Sequence, residues 1–514
     1  MDSEKVNYHY TDDLSTSPWP KGTRVLVTGA NGYVARRLIP ELLFRGYTVR
    51  CMYRNRSSLP ILSHPNIEVA YADCLNEEEL DLALNDVDYA YYLIHSMREK
   101  NTEFFEKDKR AAKNLRESAE RCGVKRIIYL GGLGEKKEQM SPHLRSRMEV
   151  GYILSQSGVP VIRVRAAIIL GTGSASYELM KALIINNRFI PFLPEFNSRC
   201  QPIAIRDVIK YLVGVLEIPR LKTSIYQIGC KDILTYKEML LKFAKTLKCN
   251  VRFIDVSWVP MPVKLMFRIY AFWLHCFISI PVNITSLLLN SLKTDVICTD
   301  NDIVSILPFE PLDFKTSIEW AQEKEKDSMV FSHWSDGKPL KMAHLLPLCE
   351  FESSEFIIEE HDVFIPVPPE KVFPHICKIG GKHGWIHANL LWQIRGWMDR
   401  ILGGAGLHRG RRDLAHLRVG DSVDFWRVEK MEPNQELLLR AEMITPGLSW
   451  LQFKLNPETE NGTRLILRAH FIPKPFWGNI YWVALSNFHS YIFKGMLDYF
   501  KKQSLEATTN YKIL

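Results

Sequence analysis

The chain has 514 residues, 46% of them apolar and 24% charged, which excludes a disordered, collagen-like or coiled-coil protein. Its 66 basic and 58 acidic residues leave a net charge of +8. That is mild for the size: it permits an anionic ligand or an anionic membrane surface, demands neither, and no Lys/Arg run points to nucleic acid. At about 150 residues per domain, two or three domains are expected, with cores large enough to need no metal or disulfide.

The ten cysteines form no CxxC and no zinc-finger spacing with histidine, so no metal site is expected. The polar, acidic start lacks a basic and then apolar export signal. Free thiols without such a signal suggest a reducing, cytoplasmic setting, with membrane association left open.

Residues 1–21 read as a flexible tail ending near Pro18 and Pro20. Residues 24–28 form a short apolar strand that runs into a glycine-rich turn. Tyr33 to Phe44 is helical, with Val34, Leu38, Leu42 and Leu43 on one face and Gly46 beyond its end. Strands are expected at 49–53, 67–71, 88–94, 126–130 and 161–166, and helices at 102–121 and 147–155. This alternation implies βαβ units: an α/β Rossmann fold with a doubly wound parallel sheet. Residues 172–330 continue the same domain. Within them the run from Leu265 to Leu289 is almost wholly apolar but is broken by Arg268, His275 and Pro281. It is too interrupted for one clean span, so buried or surface-lying helices stand beside a membrane-inserted hairpin as readings.

After about Lys341 the pattern changes to alternating strands at 356–367, 422–430, 436–444, 450–456 and 463–473. Helices at 369–376 and 481–503 bracket them, so an α+β domain dominated by antiparallel sheet is expected. The boundaries read as an N-terminal domain over 22–330 and a C-terminal domain over 345–505.

The sharpest motif is Thr28-Gly29-Ala30-Asn31-Gly32-Tyr33-Val34-Ala35, between strand and helix. Gly29 permits the tight turn, Gly32 lets a pyrophosphate approach the backbone, and Ala35 lets helix and strand pack closely. The phosphates would sit on the helix N-terminus. Arg54, at the end of the second strand, stands where NAD-selective sites carry an acid. A guanidinium there suits a 2′-phosphate, which favours NADP, with NAD still allowed; Arg54 and Arg56 as solvated loop residues is the plainer reading. Asp73 is placed to accept from the adenine amino group or to cap a helix.

These residues, with Tyr91 to Met97, Tyr129 to Gly134 and Ser141 to Gly151, resemble the atypical branch of the short-chain dehydrogenase/reductase (SDR) superfamily. The NmrA-like and complex I accessory-subunit-like groups are the nearest in pattern, and so are bacterial two-domain proteins in which such a domain precedes one of unknown function. The resemblance implies a nicotinamide dinucleotide as partner. It does not extend to the Tyr-x-x-x-Lys pair of catalytic members: His143 and Arg147 stand at that place, four apart on one helical face. His143 could carry a proton near neutral pH, and Arg147 could hold ribose or a substrate anion, or simply pair with Glu149. Ser96, after His95, could face the nicotinamide or cap a helix.

Phe364 to Phe373, a strand followed by a Pro-started helix, together with the long last helix, resembles the START-like helix-grip superfamily. That implies a curved sheet and an apolar cavity, so an apolar or lipid-like ligand is entertained beside a plain aromatic core. Arg409, Arg411 and Arg412 follow a Gly-rich stretch and could meet a phosphate or headgroup, unless Asp424, Glu429 and Glu442 neutralise them. The resulting expectation is an NAD(P)H-dependent oxidoreductase acting on a bulky apolar substrate held between the domains. The alternative is a non-catalytic NAD(P)-binding sensor or a membrane-associated assembly or quinone-handling factor with peripheral membrane contact. A nucleotide-sugar epimerase is disfavoured, because that chemistry normally needs the missing Tyr/Lys pair.

Overall fold

A computed structural model of the protein describes residues 9–54, 64–94, 103–134, 142–192, 194–219, 222–256, 265–266, 269, 292, 294–326, 348, 357–401, 406–409, 411, 416–459, 462–474 and 476–510. Contacts divide the chain into two compact units, residues 1–337 and 338–514.

In the first unit, β1 (Arg24–Thr28), β2 (Thr48–Tyr53), β3 (Ile67–Tyr71), β4 (Tyr89–Tyr92), β5 (Arg126–Gly132), β6 (Val161–Ala166) and β7 (Ser224–Ile228) form one parallel sheet. The strand order is β7-β6-β5-β4-β1-β2-β3. Its central strands are buried throughout because helices cover both faces. On one face α1 (Tyr33–Phe44) and α6 (Ile205–Glu217) lay Leu38, Leu42, Val208 and Leu212 against Val25 and Val27. On the other, α2 (Glu77–Leu84) and α3 (Glu103–Arg121) lay Leu80, Ala112 and Leu115 against Leu26 and Ala90. The winding reverses at β1, which has β2 on one side and β4 on the other, and this opens a crevice at the carboxyl ends of those strands. A separate core joins α5 (Ala175–Asn186), α7 (Tyr236–Thr246) and α8 (Phe314–Lys326).

Two differences from the sequence expectations have physical causes. α4 spans Pro142–Leu154 and so begins five residues before the expected 147, since proline at a helix start costs no backbone bond. The tail expected to be flexible is packed over its described part, 9–20. The Thr11 hydroxyl donates to Glu41 at 2.8 Å, Trp19 Nε1 to the Leu216 carbonyl at 2.8 Å, and Thr16 to Glu217 at 2.5 Å. Glu217 is buried and also accepts from Tyr47 and Arg45, so this strap helps enclose a carboxylate between α1 and α6.

The second unit is an antiparallel sheet in the order β8-β13-β12-β11-β10-β9. These are β8 (Ile357–Ile365), β9 (Ser422–Val423), β10 (Trp426–Glu432), β11 (Glu436–Ala441), β12 (Gly447–Thr459) and β13 (Gly462–Pro473). α9 (Pro369–Ile376), α10 (Asn389–Ile401) and the 34-residue α11 (Trp477–Asn510) complete it. Ile492, Phe493, Met496, Leu497 and Phe500 of α11 enter the same core as Leu465, Leu467 and Ala469 of β13. Trp385, Trp392, Phe425 and Trp426 belong to this core too, with Trp385 stacked on Trp392 at 4.6 Å. The single strand expected at 422–430 is instead two, folded back at Asp424, whose φ is +53°. No helix among the described residues is long and apolar enough to cross a membrane. The run 265–289 lies almost wholly outside the described residues.

Candidate functional site

The crevice at the ends of β1 and β4 is built by short polar ties. Thr28 Oγ1 donates to the Tyr91 carbonyl at 2.9 Å and accepts from Leu93 N at 3.0 Å, which locks the two strand ends together. Gly29 then turns the chain with φ +62°, the left-handed region. Ala30 N donates to Met52 O, and Gly32 N closes on Gly29 O at 2.8 Å. A Cβ on Gly32 would sit 3.0 Å from Gly29 O, so a side chain there would crowd the turn. Gly32 is also the cap residue of α1, which has no side-chain cap bond and no acid in its first turn. The helix thus starts without a side-chain cap, and its dipole favours negative charge at that end.

Tyr33 and Val34 begin α1. The Tyr33 ring lies under the Arg37 guanidinium at 4.1 Å, and its hydroxyl sits where a Cβ on Gly171 would come within 2.7 Å. Burial pushes this phenol up to about 12. Tyr33 therefore anchors the helix start to the protein and offers its backbone to the crevice. Arg37, buried and donating to the Thr172 carbonyl at 2.8 Å, completes that anchor; the motif drew attention to the turn and not to this residue one helical turn on.

Arg54 is exposed just past β2, and Asp73 is half-buried just past β3. Both act on Cys74: burial pushes that thiol well up, the Asp73 charge adds to the rise and the Arg54 charge opposes it. Asp73 Oδ1 accepts from Leu75 N at 2.9 Å, while the cap of α2 is Asn76, which accepts from Glu78 N and Glu79 N. The capping role weighed for Asp73 thus belongs to Asn76. Arg56, His95 and Ser96 lie outside the described residues.

His143 is the second residue of α4, and its side chain lies outside the described residues. Arg147, one turn on, donates to the Leu130 carbonyl and lies 5.7 Å over the Tyr129 ring, and Tyr129 Oη donates to the Arg147 carbonyl at 2.9 Å. Glu149 pairs with Lys109 at 3.0 Å, so the Arg147–Glu149 pair does not form. Arg147 clamps α4 to the end of β5.

In the second unit the three carboxylates considered as partners of the arginine cluster each have partners among the described residues. Glu442 takes Arg427 in two bonds of 2.6 and 3.1 Å. Glu429 accepts from Trp450 Nε1 at 3.1 Å and Leu348 N at 2.9 Å. Asp424 accepts from Gly381 N at 3.0 Å and Trp385 Nε1 at 2.8 Å. Asp424 feels the Arg411 charge, and Arg411 donates to the Ile379 carbonyl at 2.8 Å. The Arg409 side chain and all of Arg412 lie outside the described residues. No group of three His, Cys, Asp or Glu among the described residues could hold a metal ion.

Residues 29–170 match the family described as NAD(P)H-binding, and residues 358–496 match the protein family of unknown function DUF2867. A 3-beta-hydroxysteroid dehydrogenase of Mycolicibacterium neoaurum is 32% identical over 115 residues, 21% of this chain and 31% of that protein. The photosystem II assembly factor Ycf39 of Trieres chinensis is 21% identical over 206 residues, 40% of this chain and 63% of that one. The chain spans about a third of the length of the first curated relatives it matches. Among solved structures, the Citrobacter sp. triphenylmethane reductase complexed with NADP(H) is 18% identical with a TM-score of 0.48, covering 58% of this chain and 99% of that one.

Proposed function

We propose that this chain, which joins an NAD(P)H-binding Rossmann domain to a DUF2867 domain, is an NADPH-dependent oxidoreductase acting on a bulky apolar substrate. The observation that carries the reading is the uncapped start of α1 beneath the Gly29–Gly32 turn, at the point where the sheet reverses its winding.

The residues fit a dinucleotide. Gly29, Ala30, Asn31, Gly32, Tyr33 and Val34 would present backbone to the pyrophosphate. Arg54, exposed at the end of β2, would pair with the 2′-phosphate, and the second oxygen of Asp73, just past the paired strand β3, would accept from the adenine amino group. Ser96 would meet the nicotinamide side. When bound, the dinucleotide supplies the hydride, and the protein supplies position and a proton. His143 is the assigned proton donor. Arg147, committed to the Leu130 carbonyl, is a positioning residue that holds the helix carrying His143 against β5. The apolar substrate class draws support from the steroid dehydrogenases among the relatives.

Titration of the purified chain with NADPH and NADH tests the cofactor. Tighter NADPH binding is expected, and Arg54→Ala should erase the difference; equal affinities in the unaltered protein would sink the NADP assignment. His143→Gln should lower turnover about a hundredfold with NADPH affinity retained. A second reading, cofactor binding without turnover, is favoured by the lack of a Tyr-x-x-x-Lys pair between β5 and β6, since Tyr177 and Lys181, which have that spacing, lie in α5 with the tyrosine buried in the core and the lysine paired with Glu325, and by the Ycf39 match. It predicts tight NADPH binding and no substrate-dependent oxidation.

A further inference from the structure

A helix lying on a sheet normally turns a polar face to solvent. The first half of α11 does not. From Phe476 to Phe493 no residue is charged. Yet Phe476 is 67% exposed, Trp477 68% and Val483 72%, with Ile480 also outward. Further along the same helix the outward positions are Lys494, Asp498, Lys502 and Glu506, with Tyr499 among them, a mostly charged face. The short helix α10 repeats the anomaly. Its outward stripe is Leu390, Ile394, Trp397 and Met398, at helical spacing, with Trp397 64% exposed, while Trp392, Gly396 and Asp399 face inward.

One loop brings the two apolar faces to the same end of the unit. Ile444 is held by α10: its N–H donates to Asp399 at 2.6 Å and its carbonyl accepts from Arg395 at 2.9 Å. Two residues on, the Pro446 carbonyl accepts from Lys474 N at 2.9 Å and lies 2.6 Å from where a Cβ on Gly478 would sit, at the start of α11. Arg395, Lys474 and Lys494 fringe this surface. Between 474 and 497 there is no carboxylate at all. Between 385 and 401 the sole one is Asp399, fully buried, with one oxygen bonded to Ile444 N and the other to Gly406 N.

We propose that this aromatic, cation-fringed face of α10 and α11 rests on an anionic lipid bilayer, with the first half of α11 lying in the interface plane. Trp and Tyr settle at the headgroup level, and Phe, Ile and Val reach the acyl boundary. Anionic headgroups supply the sign of charge that the face lacks. A second copy of the chain fits less well, because an isologous contact would bring Arg395, Lys474 and Lys494 against their own copies with no carboxylate between them. The proposal concerns the second unit and is independent of the dinucleotide reading.

Flotation of the full-length protein with vesicles tests it. Co-flotation is expected with a roughly three-to-one mixture of phosphatidylcholine and phosphatidylserine, with weaker binding to phosphatidylcholine alone and partial release by salt. The double variant Trp397→Ser/Trp477→Ser should raise the lipid needed for half-binding about tenfold or more, with circular dichroism unchanged. Lys474→Glu should weaken binding to the mixed vesicles only. As a check that needs no variant, brominated phosphatidylcholine in the mixed vesicles should quench the tryptophan fluorescence of the unaltered protein. No flotation with either vesicle, no quenching, or flotation untouched by the double variant would overturn the proposal. So would a dimer in sedimentation that the double variant dissolves, which would make a second copy the occupant.

Discussion

Two glycine turns beside helices, one in each unit, look alike in sequence and differ in what they leave open. The Gly29–Gly32 turn leads into a helix with no side-chain cap and no acid in its first turn. The Gly380–Gly384 turn has glycines at φ +80°, +60° and +68°, yet the protein fills its donors itself. Asp424 takes Gly381 N and Trp385 Nε1, and Asn389 takes Trp385 N at 2.8 Å. A glycine-rich turn is therefore a ligand site only where the chain withholds its own acceptor. In the second unit the anion is built in; in the first, no side-chain cap supplies one.

The largest expected effect comes from removing the built-in anion. Asp424→Ala orphans two buried donors and leaves a cavity, and should cost roughly 3–5 kcal/mol in urea unfolding of the second unit, with NADPH affinity unchanged. The converse experiment supplies an anion where the protein leaves a gap. Gly32→Asp should lower NADPH affinity at least about a hundredfold by titration calorimetry, at a stability cost of about 1–2 kcal/mol from crowding Gly29 O. If the dinucleotide still bound as tightly, the contrast between the turns would be lost.

A pH effect of similar origin is expected. Burial raises Asp424 from an ordinary 3.8 to about 6, so the folded state holds that proton more tightly than the unfolded chain. Stability should therefore fall as pH rises from about 4 to 6 and level off beyond, by about 3 kcal/mol at most. Asp424→Asn should flatten that slope in melts followed across the window. The smallest effect concerns a helix that does carry its own cap: Asn76→Ala should cost about 1 kcal/mol, because Asn76 caps α2 as no side chain caps α1.

The β1–turn–α1 segment was legible because each of its residues is constrained locally: Gly29 by its φ, Gly32 by contact with Gly29 O, and Leu38 and Leu42 by the sheet face. What escaped depends on partners distant in sequence. The break at Asp424 is made by donors on residues 381 and 385, and the packing of 9–20 by groups on α1 and α6. α10 escaped because its apolar residues point both inward and outward, which erases the one-sided periodicity that marks a helix. At the candidate site, Arg54 and Asp73 follow the paired strands β2 and β3, whereas nothing in the spacing of Arg147 from Glu149 foretold that the arginine would choose a carbonyl on β5.

The strap over 9–20 has a practical consequence for anyone cutting the gene. The stretch that matches the NAD(P)H-binding family, 29–170, omits β1, the edge strand β7, the covering helix α6 and the strap that seals Glu217. A fragment trimmed to that stretch would expose the Leu38 and Leu42 face of α1 and leave Ala90 and Tyr91 on an open sheet edge, a recipe for insoluble expression. Excision should start before residue 9 and run past α8, at Lys326.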